Sequence, residues 1–383
     1  MMEKLHNMTF KPLTFFFVPI MRSRTFFGLV FLCLLSLFSL SVFGQSPQTI
    51  QIQTNQSKTF NLSEIAEQIQ SVNLEMNQSN QFDRISDVLW TDRYLFISVY
   101  SIGINQRLPT RVLQYDHSGK FIREIGDQSI DIRELLCDTV KKLLFVPKGQ
   151  ELLCYDFEGK LKDRYLLKAA PGLYDNGCFW IDYSVPQQNG MHYYLINHEL
   201  LTAKEDILFD YVDLSAKIQN ADLGFNATIG RGKAHFSFRG RTPVVSFRTD
   251  DMLHQIEGNM ITPIVKFNIE PASTSEFEKY IYPFQGFIGN YLCIHYSRSF
   301  QTYLYLKNMS TGKIFQTKYV RSGERTLTDG IKDDMSATGF CDITPLNRPG
   351  FFYFIKRREE LKDNPNFSDE KAGYTVFFVK LKP

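Results

Sequence analysis

The chain has 383 residues, of which 43% are hydrophobic and 22% are charged, and its formal net charge is only +2. A chain of this length can bury a large core, in one big domain or in two. The near balance of charge gives no support to nucleic-acid binding, and the 34 Phe and 19 Tyr residues are more typical of strands than of a helical protein.

The first 44 residues have the pattern of a secretory signal peptide. Four basic residues precede an uncharged apolar stretch, Thr25–Val42, and the expected cleavage site, Val42–Gly44, has small or short residues at its first and third positions. The alternative is an uncleaved membrane anchor, because 18 uncharged residues lie at the lower edge of what spans a bilayer. Serines dilute the far end of the stretch, which favours cleavage. We therefore expect an exported protein, in the periplasm or at the cell surface, that meets a membrane only through this segment if it is uncleaved.

The cysteines that follow this segment do not form a recognisable pattern. An odd, scattered set without a CxxC pair predicts neither a disulfide framework nor a zinc site. The alternative is that two of these cysteines form one disulfide in an oxidising compartment. The five residues are Cys137, Cys154, Cys178, Cys293 and Cys341.

Residues 45–70 are predicted to be a short extension ahead of the main domain, which we place at residues 71–383. Thr49–Gln53 alternates with the period of two that is typical of a strand. Ser63–Gln70 begins with a residue type favoured at helix N-caps and has its apolar residues on one helical face, which predicts a short helix.

A sequence motif that is repeated within the main domain, called the phrase below, indicates the architecture. Val112–Gly126 and Leu152–Tyr165 each contain an apolar run, a Tyr-Asp pair, two turn residues, a Gly-Lys pair and a second run. Repetition at a period of about 40 residues predicts an array of small β-sheets. We expect Asp116 and Asp156 to cap the turns with their side chains, because a catalytic residue would need to occur only once.

Weaker copies of the phrase continue along the chain. The third pairs Tyr193–Asn197 with Glu205–Phe209, the fourth Val244–Asp251 with Leu253–Ile256, and the fifth Tyr303–Asn308 with Thr311–Gln316. The last strand-like run, Tyr374–Lys380, has no turn after it. A propeller closes by completing one blade with strands from both chain ends, so Thr49–Gln53 or Ser71–Met76 is expected to pair with this run. The prediction is an all-β, six-bladed β-propeller.

The same residues carry a resemblance to a known family. Ile85–Leu89 before Tyr94–Ile97, then Tyr115–Ile122, Tyr155–Lys160 and Tyr303–Lys313 resemble the six-bladed β-propeller family of secreted and surface proteins of Bacteroidota, related to NHL-type propellers. The resemblance covers roughly residues 71–383. This chain departs from the family pattern at Gly126–Ser129, where members often have a Gly-Pro-Gly-Glu-type turn. It also lacks the lipobox that many members carry. The resemblance implies a fold and a location outside the cytoplasm. It implies no activity, because the family is largely without an assigned activity.

One basic cluster is the candidate ligand site. His235, Arg239 and Arg241 follow one another on and after a predicted inner strand, and converging cations suit a carboxylate or an acidic sugar. The competing interpretation is that long basic side chains at strand ends are simply solvated. Nearby Gly230–Lys233 could hold an anion, but a turn that leads into the strand explains it better.

No motif for a catalytic or metal site stands out elsewhere. Asp329, Asp333 and Asp334 lie in a glycine-containing segment, but a metal ion would need further oxygen ligands, and a turn-rich connection is the favoured interpretation. No nucleophile elbow, zinc helix or calcium loop is found. The sequence therefore predicts no catalytic residue, no metal and no cofactor.

The leading functional hypothesis is a non-enzymatic binding propeller of the bacterial cell envelope. Its partner would be a glycan, a peptide or an envelope protein, with no role for nucleic acid. The alternative is an envelope hydrolase or lyase with its site in the propeller channel, which would need acids or a metal from several blades. Four or more His, Asp or Glu side chains meeting in the channel would favour the enzyme.

Overall fold

The computed structural model describes most of the chain beyond the predicted signal segment. The described residues are 46–102, 110–129, 134–175, 177–187, 190–199, 204–213, 216–220, 225–229, 234–247, 251–258, 260–270, 284–298, 301–322, 326–333, 339–361 and 372–383. Residues 1–44, Gly230–Lys233 and Asp334 thus lie outside them. Within them, no helix is both long and apolar enough to cross a membrane.

The described residues are almost entirely strands. In the first half of the chain these are β1 (Gln48–Gln53), β2 (Phe60–Asn61), β3 (Ala66–Glu75), β4 (Arg84–Trp90), β5 (Tyr94–Tyr100), β6 (Thr110–Asp116), β7 (Phe121–Ser129), β8 (Leu136–Asp138), β9 (Leu143–Lys148), β10 (Glu151–Asp156), β11 (Leu161–Leu166), β12 (Pro171–Asp175), β13 (Cys178–Gln187) and β14 (Gly190–Glu199). A 3₁₀ turn at Thr54–Gln56 and helix α1 (Leu62–Ile65) interrupt them.

The second half continues the same way. Its strands are β15 (Lys204–Asp213), β16 (Ala216–Asn220), β17 (Phe225–Ile229), β18 (Ala234–Arg239), β19 (Thr242–Phe247), β20 (Met252–Glu257), β21 (Met260–Glu270), β22 (Phe284–Ile288), β23 (Tyr291–Arg298), β24 (Gln301–Asn308), β25 (Ile314–Ser322), β26 (Thr326–Asp329), β27 (Ile331–Lys332), β28 (Phe340–Cys341), β29 (Thr344–Pro345), β30 (Phe351–Arg357) and β31 (Ala372–Leu381). Helix α2 (Arg358–Leu361) follows β30.

These strands form a β-propeller. Six sheets have four or five strands: β4-β5-β6-β7, β8-β9-β10-β11, β12-β13-β14-β15, β18-β19-β20-β21-β1, β22-β23-β24-β25-β26 and β29-β30-β31-β3. A seventh sheet, β2-β27-β28, has three short strands, and β16-β17 is a separate hairpin. The described residues thus form seven sheets of three or more strands, so the sequence-based count of six is corrected by one. The additional sheet carries no copy of the repeated phrase. Its three strands have two residues each, and β2 lies far from β27 and β28 in the chain.

The repeated phrase forms the hairpin between the third and fourth strands of a sheet. This holds for the first copy in β6-β7, the second in β10-β11, the third in β14-β15 and the fifth in β24-β25. The fourth copy is different. Its two runs form β19 and β20, which are the second and third strands of their sheet rather than the third and fourth.

The turns of this hairpin are capped as the sequence predicts. Asp116 Oδ1 accepts the backbone N–H groups of Ser118 and Lys120 at 2.9 and 3.0 Å, and Asp156 Oδ1 accepts that of Lys160 at 2.8 Å. Gly119 follows in a left-handed conformation, with φ +86°, and a Cβ there would lie 1.8 Å from a backbone oxygen. The phrase thus needs both its Asp and its Gly for structural reasons.

Strands near the N-terminus complete two sheets. β3 pairs antiparallel with β31 and supplies the fourth strand that the last phrase lacks. β1 instead pairs parallel with β21, as a fifth strand. The helix predicted over Ser63–Gln70 is wrong beyond its first turn: α1 ends at Ile65, and β3 begins at Ala66. Nine positions of β3 pair with β31, and this pairing outweighs the weak helical periodicity of Ser63–Gln70.

The apolar core lies in six clusters between neighbouring sheets. One cluster joins the last sheet to the first, since Val72, Leu74 and Val376 pack with Leu95 and Leu113. The three-stranded sheet packs in the cluster between the fifth and sixth large sheets. The five described cysteines form no disulfide with one another, and three of them are buried in these apolar layers.

Candidate functional site

A cavity of about 850 Å³ lies where the first strands of the six large sheets meet. Each of β4, β8, β12, β18, β22 and β29 contributes to its wall, together with side chains from longer strands behind them. This volume is in the range of small-molecule sites.

Hydrogen bonds from backbone N–H groups to side-chain oxygens hold inner strands to one another. The N–H of Leu135 donates to Asp87 Oδ2 at 2.7 Å, which joins β4 to the segment before β8. The N–H of Phe287 donates to Ser237 Oγ at 3.1 Å, which joins β18 to β22. Because these bonds satisfy backbone groups at the cavity wall, they position the lining side chains.

The ring is also bonded where its ends meet. Asn347 Oδ1 accepts the Trp90 N–H and Asn347 Nδ2 donates to the Trp90 carbonyl, both at 2.9 Å. This two-point contact links the segment after β29 to β4.

One side of the cavity is built around Asp87. Burial raises the pKa of its carboxyl from the ordinary 3.8 to about 7; the N–H of Leu135 opposes this rise and the nearby carboxylate of Glu134 adds to it. The N–H of Val88 and the hydroxyl of Tyr353 also bond to the carboxyl. Asp87 thus changes its protonation state near neutral pH, which is uncommon for an aspartate and characteristic of functional sites.

The other side of the cavity contains His295, Asp342, His235 and Tyr319. Burial lowers the pKa of His295 to about 4; Asp342 partly offsets this effect and His235 adds to it. The His295 ring lies 5.9 Å from that of Tyr319, at 61°. At neutral pH, His295 is therefore an uncharged imidazole facing a carboxylate.

Tyr353 connects the two sides. Its pKa is raised well above the ordinary value by burial and next by the charge of Asp87, with a smaller contribution from Asp342. Both carboxyl groups therefore act on the same buried phenol, which lies in the cavity wall.

The three basic residues proposed from the sequence are placed differently from one another. His235 lines the cavity. Arg239 is exposed at the end of β18, and its guanidinium carbon lies 5.6 Å from the ring centre of Phe287, which lines the cavity. Arg241 is exposed in the turn before β19 and is not part of the wall. The structure thus brings one of the three to the cavity and leaves the other two on the surface nearby.

The predicted acidic connection has structural contacts. Asp329 Oδ1 accepts hydrogen bonds from the hydroxyl of Thr59 and the N–H of Gly330. Asp333 is fully buried and forms an ion pair with Lys356 at 3.0 Å. In the part of the chain that the structure describes, no three His, Cys, Asp or Glu residues are grouped closely enough to hold a metal ion.

Sequence reasoning missed most of the cavity residues. His295 directly follows the apolar run Leu292–Ile294, and Asp87 lies between polar Ser86 and the apolar pair Val88–Leu89. An ionisable residue next to an apolar run was the available signal. It could not show that these side chains, some 200 positions apart, face one cavity.

The chain matches no protein-family model, and its sequence matches no curated protein. Its fold is similar to solved structures. One is the crystal structure of a "Putative exported protein" from Bacteroides fragilis, with a TM-score of 0.59, 12% identity, and coverage of 88% of this chain and 100% of that one. Another is a periplasmic gluconolactonase of Pseudomonas aeruginosa, with a TM-score of 0.36, 13% identity, and coverage of 75% and 86%. The first similarity is one of fold alone, and the second carries no argument.

Proposed function

We propose that the protein is an exported β-propeller that binds a small ligand in its central cavity. The observation that carries this proposal is the cavity of about 850 Å³, which combines apolar walls with a few ionisable groups. Ligand sites in proteins typically have this size and composition. Export is proposed from the signal-like segment at residues 1–44, and a fold shared with a protein described as exported is consistent with it.

Blocking the cavity mouth tests the binding proposal. Thr139 is exposed and lines the cavity, whereas its neighbour Val140 is 90% exposed and does not. We expect Thr139→Trp to abolish retention of a small molecule from envelope extract, and the matched Val140→Trp to leave it unchanged. Mass spectrometry of the compounds retained after dialysis measures this. Equal retention by wild type and both variants, or retention by none, would overturn the proposal.

A second candidate is an enzyme that performs acid–base chemistry in the same cavity. Five ionisable residues of the required types line it, namely Asp87, Glu134, His235, His295 and Asp342, although no three of the described His, Cys, Asp and Glu residues are grouped closely enough to hold a metal ion. Asp87, with a pKa of about 7, could accept or donate a proton at neutral pH. The aspartate also bonds to two backbone N–H groups, which explains its presence equally well as a structural link.

Stoichiometry distinguishes the two candidates. A binding protein removes at most one ligand per chain from the extract, whereas an enzyme consumes a compound in excess of the protein and releases a product. If the cavity is catalytic, we expect Asp87→Asn to stop that consumption while still retaining the compound. Depletion that never exceeds one molecule per chain would exclude turnover of the compounds present.

A further inference from the structure

The charges of the cavity wall are predominantly negative. Three carboxyl residues, Asp87, Glu134 and Asp342, line it, and the described lining contains a single Lys or Arg, which is Arg348. Arg348 is exposed, and its guanidinium carbon lies 4.4 Å from the ring centre of Phe351. Asp87, with a pKa of about 7, is only partly ionised at neutral pH, but Glu134 and Asp342 together still outnumber the single guanidinium, so the charge of the wall favours a positively charged occupant over an anion.

The negative field acts on groups of the wall itself. Tyr319 is buried, and its burial raises its pKa well above the ordinary value; the charge of Asp342 is the next contribution in the same direction. Tyr353 responds in the same way to Asp87. The negative charges that destabilise a phenolate in the wall would stabilise a cation in the cavity.

Aromatic rings supply a second feature that suits a cation. Six of them line the cavity: Tyr174, Phe236, Phe238, Phe287, Tyr319 and Tyr353. Aromatic faces attract organic cations within about 6 Å of the ring centre. Phe287 already has the guanidinium of Arg239 at 5.6 Å, so at least one of these rings takes part in such a contact.

A buried polar atom also points to a ligand. Tyr319 is only 6% exposed, and its hydroxyl makes no hydrogen bond of normal geometry to a described residue, although a contact with the backbone of Ile343 lowers its pKa. A buried hydroxyl without a partner is costly, and it is satisfied when a bound molecule brings one. A ligand that carries an ammonium group and a hydroxyl can interact with the carboxyl groups and this phenol together.

We propose that the ligand of the cavity is a small organic cation bearing an ammonium group, attracted by the negative charges of Asp342 and Glu134 in the wall and by the surrounding aromatic faces. This inference rests on the proposed function of the cavity as a ligand site. An organic cation fits better than a metal ion, because the cavity is large and the described acids do not converge on one point. It is opposite in charge to the ligand suggested by His235, Arg239 and Arg241, since folding adds three carboxyl groups that are distant in the sequence.

Two probes of equal shape and different charge test the proposal. Choline and its neutral isostere 3,3-dimethylbutan-1-ol differ in having nitrogen or carbon at the branched centre. We expect calorimetry on the whole protein to give choline an affinity at least about tenfold higher, decreasing as salt is added. Equal affinity for the two probes would overturn the cation proposal.

Charge-removing variants locate the contact. Asp342→Asn and Glu134→Gln should each weaken choline binding by about tenfold, the equivalent of one lost charge contact. Glu151→Gln, at an exposed position of β10, is the matched control and should leave it unchanged. Equal effects of all three substitutions, or no effect of the first two, would contradict the assignment.

Failure of this inference can be separated from failure of the proposed function. If choline does not bind better than its isostere, while Val140→Trp but not Thr139→Trp retains a compound from extract, the cavity is a ligand site and the cation assignment is wrong. If neither probe binds and no compound is retained, the proposed function is wrong as well.

Discussion

Repeated and unrepeated polar residues have different roles in this protein. Asp116 and Asp156 recur with the repeat and cap turns; burial is the largest single effect on Asp116 and raises its pKa, but the hydrogen bonds from Ser118 and Lys120 together outweigh it and hold the pKa below the ordinary value. Asp87 occurs once, at the cavity wall, and burial moves its pKa in the opposite direction. The environment of each carboxyl group, rather than its residue type, therefore decides whether it serves the fold or a site.

The raised pKa of Asp87 predicts a pH dependence of stability. Between about pH 4 and pH 7 the folded protein binds a proton here that the unfolded chain has lost, so this residue makes the fold less stable as the pH rises. The slope is at most about 1.4 kcal/mol per pH unit. We expect Asp87→Asn to remove this component, seen as a smaller fall in the free energy of unfolding from pH 4 to pH 7.

Other groups also titrate between pH 4 and pH 7, so the contribution of Asp87 is found by comparing the pH profiles of the variants. His295, with a pKa of about 4, acts in the opposite sense, because it stays neutral in the fold while the unfolded chain takes up a proton. Asp163→Asn, at an exposed position of β11, is the control and should keep the wild-type profile. An unchanged profile in Asp87→Asn would show that its carboxyl is not desolvated.

Each large sheet depends on the third strand and its hairpin, and the last sheet depends on a strand from the other chain end. β31 has no following strand, and β3 pairs with it over Ala66–Glu75. The same pairing explains why a helix predicted over Ser63–Gln70 stops at Ile65. Local periodicity in eight residues is a weak preference, whereas a full ladder of backbone hydrogen bonds and a buried face favour the strand.

Truncating a buried side chain of β3 should reveal this dependence. Leu74 is fully buried between the last and first sheets, so we expect Leu74→Ala to lower the free energy of unfolding by about 2–5 kcal/mol. Ile69→Ala lies on the same strand at 36% exposure and should cost much less. Urea denaturation measures both. Similar losses for the two variants would mean that β3 is not anchored by this packing.

At the scale of the whole molecule, closure of the ring makes the sheets interdependent. Every large sheet packs against two neighbours through an apolar cluster, and the last sheet packs against the first. The Asn347 amide adds two hydrogen bonds to Trp90 across this junction. A closed ring also leaves no inner sheet edge open to pairing with other chains.

Removing the Asn347 amide should weaken the closure without opening the ring. We expect Asn347→Ala to lower the stability by about 1–3 kcal/mol, from two hydrogen bonds at 0.5–1.5 kcal/mol each, with a single unfolding transition. Asn268→Ala, which removes an exposed side-chain contact with Gln51, is the control and should change little. A second transition in Asn347→Ala would show that the first and last sheets unfold separately.

Much of the scaffold could be read along the chain, because a propeller is built from local hairpins. The Tyr-Asp…Gly-Lys phrase is most faithful in the first two sheets, where its Asp caps and left-handed Gly are set by hydrogen bonds and turn conformation within a few residues. The all-β propeller and the need for a strand near the N-terminus follow from this pattern. The three-stranded sheet does not, because its strands carry no phrase and pair Phe60–Asn61 with residues some 270 positions away.

The candidate site required the folded ring. Of the three residues chosen from the sequence, His235 lines the cavity, while Arg239 and Arg241 lie outside its wall. The carboxyl groups of Asp87 and Asp342 are 255 positions apart, and both act on Tyr353. Local hydrogen bonds and alternation are encoded in neighbouring residues, whereas the sign of the cavity's charge depends on which inner strands face one another once the ring has closed.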